Sequence, residues 1–304
     1  MKRLFAVTLV AALGAAALAA WGAAAPSGGS GSAAQAAAQP PAPPLPAELK
    51  ARKRWIIGTK CDYPPFGYIT YTGRNAGYDV DVAREFAELA FGKANRISFV
   101  CVTTPSRIPA LQTKRVDIIV STLTFTYPRL EVIDFSIPYY SATGRLLVPN
   151  ASTLSLSSLS GKTVVTTRGA LYATWMRNCF KDTRLLEVDS PSAAVLAVKD
   201  GRADTFMFDD GFLLGVAATD RDLKLTNETF LVGPWGIGIR KGEADMVRWV
   251  NWALRRMRAK DQFWKIFQVN VPKRFAPSFG KNVPRPDNIL RYPARDDDPL
   301  TKCP

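Results

Sequence analysis

The sequence predicts an α/β fold made of two similar units, the second inserted into the first. Three observations carry that expectation. From Arg54 onward, apolar segments of strand length alternate with segments of helical period. The alternation starts afresh after Pro149. Gly233-Pro234-Trp235-Gly236 then reads as a return crossing. Repetition of β-α-β units implies parallel sheets covered on both faces.

The elements follow in order. Trp55-Ile56-Ile57-Gly58 is a strand. Residues 81–91 put Val82, Phe86, Leu89 and Ala90 on one helical face, with Gly92 as C-cap and Asp79 or Asp81 near the N-terminus. Ile97 to Val102 is the next strand, Ile108 to Thr113 a short helix, and Val116 to Val120 a third strand. In the second unit Thr163 to Thr167 is a strand, Gly169 a turn, Leu171 to Phe180 a helix, and Leu185 to Val188 a strand. Ser190 is an N-cap with Pro191 at the first helical position, and that helix runs to Lys199. Asp200-Gly201 turns the chain into a strand at Thr205 to Phe208. Met246, Val250, Ala253 and Met257 give a last helical face, and the stretch from Pro272 is expected to be irregular.

The 304 residues are 47% hydrophobic, enough for one or two cores, and the first quarter differs from the rest. Met1-Lys2-Arg3 precedes an apolar run from Leu4 to Ala20, and Ala17-Leu18-Ala19 fits a cleavage site. Residues 1–25 are therefore expected to be a signal peptide. An uncleaved anchor is the weaker reading, because the run is barely long enough to span a bilayer. Residues 26–50, rich in Ala, Gly, Ser, Gln and Pro, are expected to form a flexible linker, with order beginning near Arg54. The mature protein is expected to be exported, most simply to a periplasm. The net charge is +14, or +12 without Lys2 and Arg3. Export and the lack of a basic run interleaved with aromatics argue against nucleic acid. A positive field would draw small anions or an anionic membrane surface, though a generally basic solvated surface is the plainer reading.

There are four cysteines, Cys61, Cys101, Cys179 and Cys303, and no histidine. Metal-ligand spacing is absent, so no metal site is expected. Cys61 and Cys101 each end a strand, and those strands can be neighbours. Cys303 can pin the chain's last segment to Cys179. Free buried thiols compete with both pairings.

The segment STLTFTYPR, residues 121–129, carries the strongest sign of a site. It follows the strand ending at Val120 and holds four hydroxyls in six residues, then a proline and Arg129. In open α/β sheets, ligands bind at the carboxyl ends of strands. A planar guanidinium there suits a carboxylate, which it can grip with two parallel charge-assisted bonds.

At these residues the sequence resembles the family-3 extracellular solute-binding proteins, the amino-acid receptors of ABC importers. The segments that carry the likeness are GTKCDYPPFGY (58–68), GYDVDVA (77–83), RIPALQTKRVDIIVSTLTFTYPR (107–129), DFSIPYY (134–140), GKTVV (161–165) with RGA (168–170), GRADTFMFDD (201–210) and GIGIRKG (236–242). They cover nearly everything from residue 55 to 270, and in this order they are highly specific. The likeness implies a bilobal type II periplasmic-binding fold, two parallel-sheet lobes joined by two hinge crossings, that closes on its ligand. Lobe 1 would be residues 51–144 and 236–271, lobe 2 residues 145–235, and 272–304 a C-terminal extension.

The resemblance also implies site residues. Arg129 would hold the ligand α-carboxylate, helped by Ser121, Thr122 and Thr124. Asp209 would take the ammonium group on closure; its plainer role is a helix N-cap, which suits Asp210 better. Tyr63 would wall the pocket, or else be a core aromatic beside Pro64-Pro65. Lys60 and Arg107 look like the aspartate/glutamate-binding subgroup, where basic residues take the side-chain carboxylate. Three cations against Asp209 suit a dicarboxylic amino acid of net charge −1. A neutral ligand would leave a desolvated cation unpaired, at about 1–3 kcal/mol. One position departs from the family. Ala170 stands where a hydroxyl residue usually helps hold the α-carboxylate, leaving backbone N–H groups, or Arg168, to compensate.

The expected function is binding without chemistry. The protein would act as a monomer, need no cofactor, capture glutamate or aspartate and present it to a membrane permease. The same fold also resembles periplasmic cyclohexadienyl dehydratases, which act on prephenate-like dicarboxylates, so an enzyme is the alternative. A receptor sensor module is a third and weaker reading, since it needs a transmembrane helix and a signalling domain after residue 270.

Overall fold

The computed structural model describes residues 40–273, 275 and 279–304, so the expected signal peptide and most of the expected linker lie outside the described residues. The described elements start with α1 (Ala47–Arg52), β1 (Trp55–Thr59), the short strands β2 (Asp62–Tyr63), β3 (Gly67–Ile69) and β4 (Asn75–Ala76), and α2 (Tyr78–Phe91). It continues through β5 (Ile97–Cys101), α3 (Arg107–Gln112), β6 (Ile118–Ile119), α4 (Tyr127–Val132) and β7 (Ile133–Phe135). β8 (Tyr140–Pro149) carries it into the second lobe. There follow β9 (Thr163–Thr167), α5 (Leu171–Cys179), β10 (Arg184–Val188), α6 (Pro191–Lys199), β11 (Thr205–Asp209), α7 (Asp210–Ala217) and β12 (Leu223–Leu225). β13 (Phe230–Trp235) returns to the first lobe, which β14 (Gly238–Arg240), α8 (Ala244–Ala259) and α9 (Gln262–Asn270) complete.

Each lobe has its own sheet. The first runs β5-β1-β6-β14-β7 and the second β10-β9-β11-β8-β12, with β13 also paired to β8. Each sheet is built on parallel pairs, as expected, with antiparallel strands added to them. β1 is parallel to β5 and β6, and β9 to β10 and β11, but β14 and β8 run antiparallel to their neighbours. The antiparallel strands are those attached to the crossings, which enter each sheet from the opposite end. β8 and β13 pair where they cross, Tyr140 opposite Trp235 and Ala142 opposite Gly233. Large aromatics fill this junction: Tyr140 and Trp235 lie 4.5 Å apart, and Phe66 packs edge-on against both at 4.9 Å. Such pairs contribute about 0.5–1.5 kcal/mol each beyond the area they bury.

Local signals explain most elements. Gly92 ends α2 in the left-handed conformation, its N–H reaching Glu88 O. Ser190 caps α6 with Pro191 at its first position. The expected face of α8 is buried, with Trp249 packed 5.4 Å from Trp55. Gly77 permits the tight entry to α2, for at φ +119 a Cβ would fall 2.2 Å from Phe66 O. Both cysteine pairings form: Cys61–Cys101, where Thr59 of β1 lies opposite Cys101, and Cys179–Cys303.

Two expectations change. Residues 47–50 are not linker: they open α1, whose Leu49 is buried in the core. The strand expected at 116–120 is reduced to Ile118–Ile119, because the chain turns away immediately after it. Among the described residues beyond Pro272, regular structure is limited to short helical turns, chiefly 3-10 turns at Gly280–Asn282, Arg295–Asp297 and Pro299–Thr301. No described helix is long and apolar enough to cross a membrane.

Candidate functional site

The segment after β6 is held in an unusual conformation. Thr122 has φ +46, a region a β-branched residue rarely enters. A buried carboxylate fixes it. Asp79, in the first turn of α2, accepts from the Thr122 N–H at 2.8 Å and from the Tyr139 hydroxyl at 3.0 Å. Burial pushes the Asp79 carboxyl up to about 7, against the opposing pull of those two hydrogen bonds, Arg107 and Lys60. The turn leaves two carbonyls facing α3, and the Arg107 guanidinium donates to both, to Ser121 O at 2.7 Å and Thr122 O at 3.1 Å.

Arg129 is placed by α4. The Thr126 hydroxyl caps that helix by accepting from the Arg129 N–H, and Pro128 sits at its start. The guanidinium folds back to Thr124 O and reaches across to Gly169 O in the second lobe at 2.8 Å. Gly169 takes φ +74, a left-handed backbone that favours glycine, although a Cβ there would meet Pro105 Cα only at 3.5 Å, an ordinary contact.

From the second lobe, β11 ends in Asp209, which is 5% exposed. Its two oxygens are claimed by tyrosines of different lobes. Tyr63 donates to Oδ2 at 2.6 Å and Tyr172, on α5, to Oδ1 at 2.7 Å. Burial raises the Asp209 carboxyl above its ordinary value, and these two bonds oppose the rise. Tyr63 also packs on Phe208 and Phe212 of the second lobe, at 5.5 and 5.0 Å.

Thr104, Arg107, Thr122, Thr124, Arg129, Ala170, Leu171, Tyr172, Phe208 and Asp209 together line a narrow gap between the lobes, with a volume of only about 10 Å³. Lys60 stands behind this wall, 1% exposed, its ammonium donating to the Thr104 hydroxyl at 2.6 Å. Burial, then the neighbouring Arg107, lower Lys60 to about 7. Burial lowers Arg107 to about 10 and, with Arg107 beside it, Arg129 to about 9. Among the described residues no carboxylate forms an ion pair with any of these three cations. The Arg107 Nε and the Ser121 hydroxyl are buried without a hydrogen-bond partner among the described residues. Two guanidiniums at the gap, Arg107 buried and Arg129 half-buried, with the Lys60 amine behind them, suit an anion, which would supply an ion-pair partner.

The structure thus brings Arg107, Thr122, Thr124, Arg129, Ala170 and Asp209 to one gap, with Lys60 and Tyr63 one hydrogen bond behind it. Ser121 contributes its carbonyl, while its side chain does not line the space. Arg168 does not compensate for the missing hydroxyl at Ala170: it is half exposed and paired with Asp189 at 3.0 Å, away from the gap. Asp210 is not the N-cap of α7 but its first residue, held by the Thr143 hydroxyl and N–H. Sequence reasoning missed Thr104, Leu171, Tyr172 and Phe208. It also missed the buried charge of Asp79, which reduces the surplus positive charge expected of the site.

Residues 55–270 match the model of the bacterial extracellular solute-binding proteins, family 3. The ABC transporter glutamine-binding protein GlnH of Bacillus subtilis (strain 168) is 30% identical over 225 residues, 73% of this chain and 82% of that protein. The glutamine-binding protein of Geobacillus stearothermophilus is 34% identical over 197 residues, 64% of this chain and 75% of that one. In structure, the cysteine-binding protein of Campylobacter jejuni superposes with a TM-score of 0.73 at 26% identity, covering 81% of this chain and 98% of that one. Other relatives, at 27% identity, are named for binding L-cystine, L-arginine, and L-glutamate or L-aspartate.

Proposed function

The chain belongs to the bacterial extracellular solute-binding proteins of family 3, and on that premise we propose that it captures glutamate or aspartate between its lobes and delivers it to an ABC importer's permease. One observation carries the acidic choice: Arg107 and Arg129 line a single gap, Lys60 stands behind it on Thr104, and none of the three has an ion-pair partner among the described residues. Arg129 takes the α-carboxylate, with Thr124 and Thr122 beside it. Asp209, steadied by Tyr63 and Tyr172, takes the ammonium group on the remaining lone pairs of its two oxygens. Arg107, with Lys60 behind it, takes the side-chain carboxylate. Glutamine, which the two glutamine-binding relatives are named for, would leave that second cationic group facing an uncharged amide. Ligand contacts to both lobes drive closure as a shift between open and closed populations.

A thermal-shift screen against all amino acids and small dicarboxylates tests this reading. Glutamate or aspartate should raise the melting temperature most, and a larger shift with glutamine, cystine or arginine would overturn the acidic assignment. Asp209 favours a second reading, because a buried carboxyl with a raised proton affinity is suited to acid catalysis on a prephenate-like dicarboxylate. Release of phenylpyruvate from prephenate would establish that enzyme.

A further inference from the structure

The segment 279–304 runs from the first lobe to the second beside the gap. Arg285 pairs with Asp261 just before α9, and the Asn282 amide donates to Ser141 O on the crossing strand β8 at 2.6 Å. Tyr292 then stacks on Phe125 with ring centroids 4.1 Å apart, and its hydroxyl donates to Ser136 O at 2.6 Å. The Tyr127 hydroxyl donates to Pro293 O at 2.9 Å, and the Arg295 guanidinium lies over the Tyr127 ring at 4.6 Å. All of these are contacts with the first lobe or the crossing. From Leu300 onward the partners belong to the second lobe. Leu300 is 5% exposed, the Asn178 amide donates to its carbonyl at 3.1 Å, and the Trp175 indole donates to Lys302 O at 3.0 Å. Cys303 is then bonded covalently to Cys179 on α5.

Between the two sets of anchors there is little spare chain. Arg295 to Leu300 is five residue steps. At the 3-10 rise of about 2 Å per residue they span about 10 Å, and fully drawn out they reach about 17 Å. The segment can lengthen by only about 7 Å before contacts on one lobe give way. It also borders the site itself: Pro293, Pro299 and Leu300 enclose a crevice with Thr124 of the first lobe and Leu171 of the second.

We infer that residues 279–304 form a strap that limits how far the two lobes open, with the Cys179–Cys303 disulfide as its fastening to the second lobe. The inference rests on reading the gap as a clamp that opens and closes around a ligand. With the disulfide formed, the open state is held narrow and the closed state is favoured. Reduction releases the second-lobe end, widens the open state and speeds ligand exchange. The bond that breaks is Sγ–Sγ; two electrons and two protons from an external dithiol convert it to two thiols, and the dithiol is oxidised to its own disulfide.

Small-angle scattering and stopped-flow release on the Cys179→Ser/Cys303→Ser double variant test the strap, leaving Cys61–Cys101 in place. The ligand-free variant should show a larger radius of gyration than the wild type. Glutamate should leave it roughly five- to thirtyfold faster, the factor carried by one or two hydrogen bonds of about 1 kcal/mol each. Tyr292→Ala, which loosens the first-lobe end with the disulfide intact, should move both readouts the same way and covers poor folding of the double variant. An unchanged radius of gyration in both variants overturns the strap. A larger radius with an unchanged release rate overturns its control of exchange. If glutamate does not bind the wild type, the acidic reading fails, while the ligand-free scattering still decides the strap and glutamine serves for the release measurement.

Discussion

Replacing Arg129 by alanine should remove most of the binding energy, and the structure allows the size of the loss to be worked out. The guanidinium lines the gap and donates to Thr124 O and Gly169 O. With it gone, the ligand α-carboxylate would be desolvated among Thr122, Thr124 and Leu171 with no cation against it. Truncating one partner of a buried charge pair costs about 2–5 kcal/mol, or about 30- to 4,000-fold in Kd. The bond to Gly169 O is lost as well, and it joins the lobes. A net loss of about 1 kcal/mol there lowers the closed population roughly fivefold relative to the open one. Titration calorimetry with glutamate, beside a thermal melt to show that the variant is folded, measures the sum. Arg129→Lys keeps the charge but not the fork, so it should fall between the two. A folded Arg129→Ala protein that binds glutamate within about threefold of the wild type (~0.7 kcal/mol) would refute the assignment of the α-carboxylate.

Other perturbations separate the remaining roles. Arg107→Met should weaken glutamate by about 10- to 100-fold while changing glutamine far less, as competition binding of the two would show. Glutamate affinity should hold below pH 7 and fall above it. The ammonium form of Lys60 is the one that attracts a carboxylate, and burial and Arg107 bring its proton loss down to about pH 7 against the opposing pull of Asp62, Asp209 and Asp79. The fall approaches tenfold per pH unit at most, and Lys60→Gln should flatten the profile measured by calorimetry from pH 6 to 9. Tyr172→Phe removes one of the two hydrogen bonds to Asp209, and should raise the Kd for glutamate by roughly 3- to 10-fold with little change in melting temperature.

Much of the architecture was legible because local and global signals agree. The caps at Gly92 and Ser190, and the apolar face of α8, are set by neighbours in the sequence. The mixed sheets were not legible, because strand direction at β8 and β14 depends on how the crossings enter, and no residue pattern encodes that. The helix at Ala47–Arg52 was hidden by the Ala- and Pro-rich stretch before it, and only the burial of Leu49 against the core justifies it. In the site, Arg107 and Arg129 could be read from motifs. Tyr172 could not, for on α5 it looks like one more core aromatic until the fold of the second lobe sets the end of β11, with Asp209, beside it. Asp79 looked like a helix-start residue. Its grip on the Thr122 N–H, 43 positions away, exists only in three dimensions.

Calorimetric titration of the purified protein with glutamate, aspartate and glutamine side by side decides whether the gap is built for a dicarboxylic amino acid. If Lys60, Arg107 and Arg129 share a dicarboxylic ligand, glutamate or aspartate should bind at least about tenfold more tightly than glutamine at pH 7. Glutamine binding as tightly as either acid, or more so, would contradict it.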